Sequence, residues 1–352
     1  MRAVQDIDEV LVVGDGPAGC AAAITCVLSG LRTTLVSGGA RRCEFPESIH
    51  AGGIDLVHSL GVGDLSAAYA GPAFTEVAQR NGLAVEPNAG MQWPARNVRR
   101  DILDTLLLDR ARASGVTIVT GRARSIAKED SGIFRVEIEK NAQARRAAFV
   151  IDATGAAQWL RRQFKLPRQV LSVPLVCRRG LARREKDVGW SPGFYVEKDG
   201  WFWIAPTSPE IAVWTHVTTA RQRSPQPLPD GFQAEGKAEQ AARTWTLVDG
   251  VGGTNYAVVG DAAGYLDPAS GDGVTLALQS GRNAAITAAR ILSRSEQPNA
   301  AAAAYSDWWY RRIAAKARSL GFFYATHGLA SWMDTQPAGV GLGTQDVSAG
   351  AG

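Results

Sequence analysis

A short apolar run, Ile7 to Val13, lies near the start of the chain and is followed by glycines and by an Ala-rich stretch from Ala18 to Leu28. An apolar run of this length beside glycines predicts a strand that is buried on both faces of a parallel sheet. The Ala-rich stretch predicts a helix, and Thr33 to Val36 predicts a second strand. This β-α-β order is typical of α/β domains with a Rossmann-type sheet.

The pattern of apolar and polar positions changes further along the chain. From the end of the second strand to about residue 95, the sequence predicts mostly loops. A helix is predicted from Arg100 to Ser114. From Gln169 to about Val248, closely spaced strand-like runs predict an antiparallel sheet. Strands are predicted at Val116–Val119, Phe134–Glu139, Ala148–Ile151, Ser172–Cys177, Gly193–Val196, Trp201–Ile204 and Ile211–Thr218. Helices are predicted at Asp230–Thr244, Gly273–Arg294 and Ala300–Ser319.

Three glycines follow the first strand at GxGxxG spacing, and each has its own purpose in a dinucleotide-binding turn. Gly14 makes the tight turn, Gly16 lets the backbone approach a pyrophosphate, and Gly19 lets the helix pack close to the strand. Pro17 and Ala18 begin the helix, whose free N–H groups and positive dipole end attract phosphate. The turn therefore predicts the phosphate end of a dinucleotide site.

The second strand departs from the usual dinucleotide pattern at its end. Ser37 stands where an acidic residue usually binds the adenosine ribose, and Arg41 and Arg42 follow closely. A neutral Ser with a nearby Arg also suits an NADP 2′-phosphate. As far as residue 45, the sequence therefore fits an NADP-dependent dehydrogenase as well as an FAD protein, with Ser37 and Arg42 as cofactor-binding candidates.

A second glycine-rich segment, Tyr256 to Gly273, resembles the second FAD motif of the p-hydroxybenzoate hydroxylase superfamily of flavoprotein monooxygenases. The resemblance implies that Asp261 binds a ribityl hydroxyl of FAD, that Gly260 is also part of the cofactor site, and that Pro268 lies beside the flavin ring. It also implies that the backbone of Gly271, Asp272 and Gly273 starts a helix aimed at the N1–C2=O edge of the ring. A helix N-terminus would stabilise the negative charge of reduced flavin at that edge. This motif decides against the dehydrogenase.

Shorter segments indicate a branch of the superfamily. The helix that begins at Arg100 resembles one whose Arg lies near the cofactor, and Asp152 to Gly155 resembles the family's Asp-Ala-Thr-Gly turn. Phe45 to Ile49, Trp201 to Pro206 and Tyr305 to Arg312 resemble segments of tryptophan halogenases. The chain is thus similar to tryptophan halogenases and geranylgeranyl reductases. In size and motifs it also resembles the flavoprotein maturases that hydroxylate a protein-bound tryptophan in quinone-cofactor oxidases.

The resemblance implies an FAD-dependent monooxygenase that uses NADH or NADPH, directly or through a flavin reductase, with O2 as co-substrate. A flavin C4a-(hydro)peroxide would hydroxylate an aromatic small molecule, such as an indole, or a tryptophan on a partner protein. Halogenation is disfavoured for two reasons. Halogenases use a lysine in the N-terminal third, whereas the first lysine of this chain is Lys128, and the chain is short for a halogenase. An alkene reductase of the geranylgeranyl type and a non-enzymatic flavoprotein remain alternatives.

Five side chains are candidates for the reaction itself. His50 is the best acid–base candidate, Glu47 could polarise substrate or hold a loop, and Asp272 could act catalytically or simply cap its helix. Trp201 and Trp203 alternate along a strand, so their indoles share one face. They could form core packing or a stacking wall for an aromatic substrate.

Composition excludes several classes of protein. The net charge is +4, the cysteines form no CxxC pair, and no nucleic-acid-binding module is evident. No apolar run reaches membrane-spanning length and no signal sequence is evident, so we expect a cytoplasmic protein. The cysteine pattern leads us to expect no metal site.

The elements and motifs together predict a discontinuous domain organisation. Residues 1–165 and 249–298 form a Rossmann-type FAD domain, and residues 44–95 within it partly cover the active site. Residues 166–248 form an inserted antiparallel-sheet substrate domain. Residues 299–332 form a C-terminal helical segment, and residues 333–352 are predicted to be a disordered tail.

Overall fold

The structure is a computed structural model that describes residues 7–39, 45–81, 84–86, 92–139, 144–185, 191–221 and 227–333. Arg42 and nearly all of the predicted tail lie outside these ranges. The helices are α1 (Pro17–Leu28), α2 (Ala51–Ser59), α3 (Arg100–Ala113), α4 (Trp159–Phe164), α5 (Gly273–Leu292) and α6 (Pro298–Thr326). The strands are β1 (Ile7–Val13), β2 (Thr33–Ser37), β3 (Pro46–His50), β4 (Tyr69–Glu76), β5 (Ala78–Asn81), β6 (Ala84–Glu86), β7 (Gln92–Arg99), β8 (Thr117–Thr120), β9 (Ala123–Lys128), β10 (Phe134–Ile138), β11 (Arg145–Asp152), β12 (Arg168–Val170), β13 (Leu175–Arg184), β14 (Gly193–Glu197), β15 (Gly200–Pro206), β16 (Ile211–Thr219), β17 (Phe232–Ala242), β18 (Thr246–Val248), β19 (Tyr256–Val258) and β20 (Gly264–Tyr265).

The first sheet has a parallel core in the order β8-β2-β1-β11, with β19 parallel to the C-terminal half of β11. The antiparallel strands β10 and β9 extend it past the N-terminal half of β11. The central strands are almost fully buried, as their apolar sequences predict. The predicted Rossmann-type α/β domain is thereby confirmed.

Helices α1 and α5 pack unusually closely on one face of this sheet. A Cβ added to Gly281 of α5 would lie 2.1 Å from the carbonyl oxygen of Ala18, so only glycine allows this approach. The contact is decisive for the site, because it brings the start of α1 and the start of α5 to the same side of the sheet.

The second large sheet has the order β17-β13-β16-β15-β14-β5-β6. All of its neighbours are antiparallel except β14 and β5, which run parallel. This confirms the predicted antiparallel sheet, and it shows that the sheet also draws two strands from residues 78–86. One face of the sheet is turned to the cavity described below.

The helix predicted at Asp230–Thr244 is wrong, since residues 232–242 form strand β17. Its Ala, Glu, Gln and Lys residues favour a helix locally. Pairing with the open edge of β13 outweighs this preference, because β17 forms hydrogen bonds with the backbone groups of β13 along most of that strand. Gly236, with a φ of 72°, lies where the register shifts between Arg179 and Leu181, which is typical of a bulge.

The loops predicted up to residue 95 are also wrong in large part. That stretch contains α2 and several strands, of which β3, β7 and β4 form a small antiparallel sheet. Strand β3 pairs with β7, a partner about fifty residues further along, so its local sequence pattern carries little signal. This small sheet places residues 46–50 beside the cavity. In the part of the chain that the structure describes, no helix is long and apolar enough to cross a bilayer.

Candidate active site

A cavity of about 1180 Å³ runs from the glycine turn after β1 to the antiparallel sheet. Both glycine-rich segments line it, although they are far apart in the sequence. The lining includes Gly14, Asp15, Gly16, Pro17, Ala18, Arg100, Gly260, Asp261, Pro268, Gly271 and Gly273, together with Trp201 and Trp203. Most of the residues that the sequence predicted for cofactor and substrate are therefore brought together in one space.

The glycine turn has the geometry that a pyrophosphate requires. Gly14 has a φ of 111°, and a Cβ there would lie 2.3 Å from the carbonyl oxygen of Ala153. A Cβ on Gly19 would lie 1.8 Å from the Gly14 carbonyl oxygen, whereas one on Gly16 would meet only open space. Helix α1 has no side-chain cap and no acidic residue in its first turn. Its first N–H groups therefore face the cavity and suit a phosphate.

Ser37 is placed differently from the ribose contact that the sequence suggested. Its hydroxyl donates to Asp15 Oδ2 at 2.7 Å, and its neighbours Val36 and Gly38 line the cavity instead. Arg122 also lines the cavity and lies beside Gly38. Sequence reasoning missed Arg122 because it belongs to no motif, and only the pairing of β8 with β2 brings it here.

The opposite end of the cavity is formed by a segment that we call the flavin loop, Asp267 to Gly273. Asp267 Oδ1 accepts a hydrogen bond from the Ala269 N–H at 2.9 Å and so caps the turn that carries Pro268. Gly271 has a φ of 62°, and α5 begins directly afterwards at Gly273. A Cβ on Gly273 would meet nothing within 4 Å, so the cavity is open to the first turn of α5.

Asp272 occupies the N-cap position of α5, but its carboxylate makes no capping hydrogen bond. Its Oδ1 lies 2.8 Å from His50 Nε2, and its Oδ2 is paired with the ammonium of Lys316. His50 Nε2 also lies 3.0 Å from Thr275 Oγ1 in the first turn of α5. Two catalytic candidates from distant parts of the sequence thus form a pair beside the flavin loop.

Lys316 of α6 lines the cavity, although the chain has no lysine before Lys128 and the sequence predicted no ammonium where a halogenase needs one. Ser319, Leu320 and Phe323 line it from the same helix, at the i, i+3, i+4 and i+7 spacing of one helical face. That spacing was visible in the sequence, but nothing there showed that this face would meet the cavity.

Glu47 lies between two arginines from separate elements. Arg100 Nη1 of α3 donates to its Oε2 at 2.8 Å, and Arg179 Nη1 of β13 donates to its Oε1 at 2.8 Å. Burial alone would raise the pKa of Glu47, but the two guanidinium charges and their hydrogen bonds outweigh it and lower the pKa to about 2. Glu47 is therefore ionised at neutral pH, and it ties the antiparallel sheet to the FAD domain.

The antiparallel sheet presents an aromatic wall to the cavity. Trp203 Nε1 donates to Ser48 Oγ at 3.0 Å, and Trp201 stacks on Phe194 with ring centroids 4.8 Å apart. Ser48 is held in turn by Asn97 at 2.7 Å. Both indoles line the cavity and are also packed against neighbouring side chains. The Trp203 hydrogen bond and the stacking of Trp201 on Phe194 hold each ring in one orientation.

These features fit FAD, with phosphates at the start of α1 and the ring beside the flavin loop, and they define an FAD-dependent oxidoreductase. A sequence model of FAD-dependent oxidoreductases matches residues 9–163. A model of the tryptophan halogenases matches residues 88–327, which is most of the chain, and the chain belongs to that family.

Curated relatives carry a different activity in their names. The chain is 24% identical to a digeranylgeranylglycerophospholipid reductase of Methanococcus vannielii, over 88% of this chain and 84% of that protein. It is 25% identical to digeranylgeranylglycerophospholipid reductase 3 of Methanosphaera stadtmanae, over 87% of this chain and 83% of that protein.

Solved structures show the same fold. The flavin-dependent brominase Bmp2 aligns with a TM-score of 0.77 at 21% identity, over 91% of this chain and 88% of that chain. PqsL of Pseudomonas aeruginosa, a probable FAD-dependent monooxygenase, aligns with a TM-score of 0.76 at 18% identity, over 93% of this chain and 98% of that chain. The brominase chain is thus of a length comparable to this one.

Proposed function

We propose that this protein is an FAD-dependent monooxygenase that hydroxylates an aromatic substrate, with indole-type rings as the preferred class. The observation that carries the proposal is the pair of oriented indoles, Trp201 and Trp203, facing the same cavity as the flavin loop. Aromatic side chains favour offset or edge contacts with an aromatic ligand.

The cavity is large enough for a second molecule besides the cofactor. Single ligand sites are usually about 300–1,000 Å³, and this cavity is about 1180 Å³. Phe194, Phe323, Leu320 and Val213 add apolar surface next to the two indoles. Such a lining excludes water from the substrate, which oxygen chemistry at a flavin requires.

When bound, FAD supplies the two-electron and oxygen chemistry, with NADH or NADPH as electron source and O2 as co-substrate. The chain's own residues hold it: Gly14, Gly16 and Gly19 accommodate the phosphates, and Asp261 with the flavin loop accommodates the ribityl chain and ring. Burial raises the pKa of the Asp261 carboxyl. A hydrogen bond donated by a ribityl hydroxyl would stabilise the charged form of this carboxylate.

The His50–Asp272–Lys316 group is suited to hold and move a proton beside the ring. His50 Nε2 contacts both the Asp272 carboxylate and the Thr275 hydroxyl, so a proton there has acceptors on two sides. Lys316 neutralises the same carboxylate from the cavity side. We assign His50 as the acid–base residue and Asp272 as the group that orients it.

The substrate could be a free aromatic molecule or a tryptophan on a partner protein, which would make this chain a maturase of a quinone-cofactor oxidase. The resemblance to maturases and the indole-lined wall support the second idea equally well. A comparison of indole with a tryptophan-containing peptide as substrate separates the two.

An alkene reductase is the second candidate, and the relatives from Methanococcus vannielii and Methanosphaera stadtmanae favour it. Reduction of a double bond would need the same FAD site but no O2. Halide-dependent product, with bromide or chloride added, would instead indicate a halogenase that uses the ammonium of Lys316.

The test is consumption of NADH or NADPH by the FAD-loaded protein, with and without an added flavin reductase. Indole is expected to stimulate consumption only when O2 is present. Stimulation by a geranylgeranyl lipid under strictly anaerobic conditions, with no response to indole, would replace this proposal by the reductase.

A further inference from the structure

Four fully buried side chains from four separate segments form one hydrogen-bonded chain. Trp201 Nε1 of β15 donates to Tyr324 Oη of α6 at 2.9 Å. Tyr324 Oη donates to Asp267 Oδ2 at 2.5 Å, and Trp245 Nε1 donates to the same oxygen at 2.8 Å. None of the four exposes any surface to solvent. The chain leads from the aromatic wall to the base of the flavin loop.

The direction of every bond in this chain is fixed by the donors available. An indole N–H can only donate, so the Tyr324 hydroxyl must accept a hydrogen bond from Trp201 and donate its own hydrogen bond to Asp267. Asp267 Oδ1 accepts from the Ala269 N–H as well. Each hydrogen bond that the described residues make to this carboxylate thus comes from a donor, which favours its charged form.

Both ends of the chain reach surfaces that the proposed function uses. Trp201 lines the cavity and stacks on Phe194. Asp267 caps the turn from Pro268 to Ser270, which leads into α5. In a dry, closely packed interior, a shift of one end therefore displaces the other.

We propose that Tyr324 is a positioning residue that holds the Trp201 indole in register with the flavin loop. An aromatic molecule against Trp201 and the FAD against the loop then influence each other through Tyr324. The substrate half of this inference rests on the proposed function, whereas the link between Trp201 and the loop does not.

The charge state of Asp267 makes the link measurable. Burial raises the pKa of Asp267, and the hydrogen bonds from Tyr324, Trp245 and the Ala269 N–H partly offset this rise. The resulting pKa is about 6. The other ionisable side chains that sense Asp267 are Tyr265 and Cys177, and burial raises the pKa of each. Neither carries charge near neutral pH, so they do not mask a titration of Asp267.

The first arm of the test needs no substrate. The visible spectrum of bound FAD is recorded between about pH 5 and pH 8 for the wild type, Tyr324→Phe, Trp245→Phe and Asp267→Asn. We expect a transition near pH 6 that Asp267→Asn removes and that both other variants move to higher pH, since each loses a hydrogen bond that stabilises the carboxylate. Identical titrations of the wild type and Asp267→Asn, or a transition that Asp267→Asn removes but Tyr324→Phe leaves unmoved, would overturn the link.

The second arm measures the affinity of the oxidised, FAD-loaded protein for indole through the flavin difference spectrum. Tyr324→Phe and Trp201→Phe should each weaken binding about tenfold, and the double variant should be no weaker than Tyr324→Phe alone. Trp245→Phe is the matched control, because it disturbs Asp267 without touching Trp201. Its affinity should stay within about twofold of the wild type.

Two results in the second arm would contradict the positioning role. One is an unchanged affinity for indole in Tyr324→Phe. The other is a loss of affinity in the double variant equal to the product of the losses in the two single variants. Near-ultraviolet circular dichroism and the FAD affinity of each variant show whether it is folded. A wild type that binds no indole would count against the proposed substrate class, and the first arm would still decide the link.

Discussion

His50 Nε2 lies 2.8 Å from Asp272 Oδ1, so the residue before helix α5 is bound to a residue at the start of α2 and not to its own helix. The first N–H groups of α5 consequently remain available to an anionic edge of the flavin ring. The same contact holds the His50 imidazole beside the first turn of α5, where Thr275 is its second partner.

His50→Gln should keep FAD bound but lower kcat for hydroxylation by about 100-fold, the usual contribution of a positioned acid–base group. The control is His58→Gln, because His58 lies at the other end of α2 and contacts only the Val62 carbonyl among its described hydrogen bonds. Steady-state kinetics with indole measure both variants. Equal kcat in His50→Gln and the control would remove His50 from the reaction.

Gly16→Ala should weaken FAD binding without unfolding the protein. The new methyl group meets nothing in the protein, but it extends into the space where the pyrophosphate must approach the backbone. We expect the Kd for FAD to rise about tenfold while the Tm of the cofactor-free protein stays the same. Gly63→Ala, which also meets open space but lies outside the cavity, is the matched control and should change neither quantity.

Glu47→Gln should act on stability and not on the pH profile of activity. The amide cannot neutralise Arg100 and Arg179, so the free energy of unfolding should fall by about 2 kcal/mol, less than for a completely buried pair. Because the pKa of Glu47 is about 2, its proton contributes no step to the activity profile above pH 5. Urea unfolding checks the first point. Loss of an acidic limb from the profile in this variant would show that Glu47 titrates during turnover.

His216 should make the protein less stable in mild acid. Burial and the nearby Arg178 guanidinium lower its pKa from 6.5 to about 4, so the unfolded chain takes up a proton before the folded protein does. Stability is complete above pH 6.5 and is lost as the pH falls toward 4, by about 2 kcal/mol at pH 5. Urea unfolding of the wild type and of His216→Gln at pH 7 and pH 5 should show this loss only in the wild type. A parallel loss in the variant would assign it to other groups.

The local motifs were predictable because their function depends on neighbouring residues. Gly14, Gly16 and Gly19 act through one turn, and their spacing alone fixed their separate purposes. The pattern from Gly260 to Gly273 was interpreted through its resemblance to a family motif, and the structure places this segment along the cavity. The sequence could also show that Trp201 and Trp203 share a face, since alternation along a strand is a local property.

The parts that the sequence did not predict depend on contacts between distant segments. Strand β17 forms at the edge of β13 against its own helical preference. Lys316 and Tyr324 reach the site only because α6 packs beside the flavin loop, and nothing within α6 specifies that neighbour. Of the two roles that the sequence left open for Asp272, the cap of α5 is not formed, because its carboxylate pairs with His50 and Lys316 instead.

The most direct measurement is the mass of the product formed from indole by the FAD-loaded protein under isotopically labelled O2, with NADH or NADPH as reductant. We predict a product that has gained one labelled oxygen atom and that does not form without O2. Indole recovered unchanged while O2 is consumed, or a product whose oxygen is unlabelled, would contradict the monooxygenase.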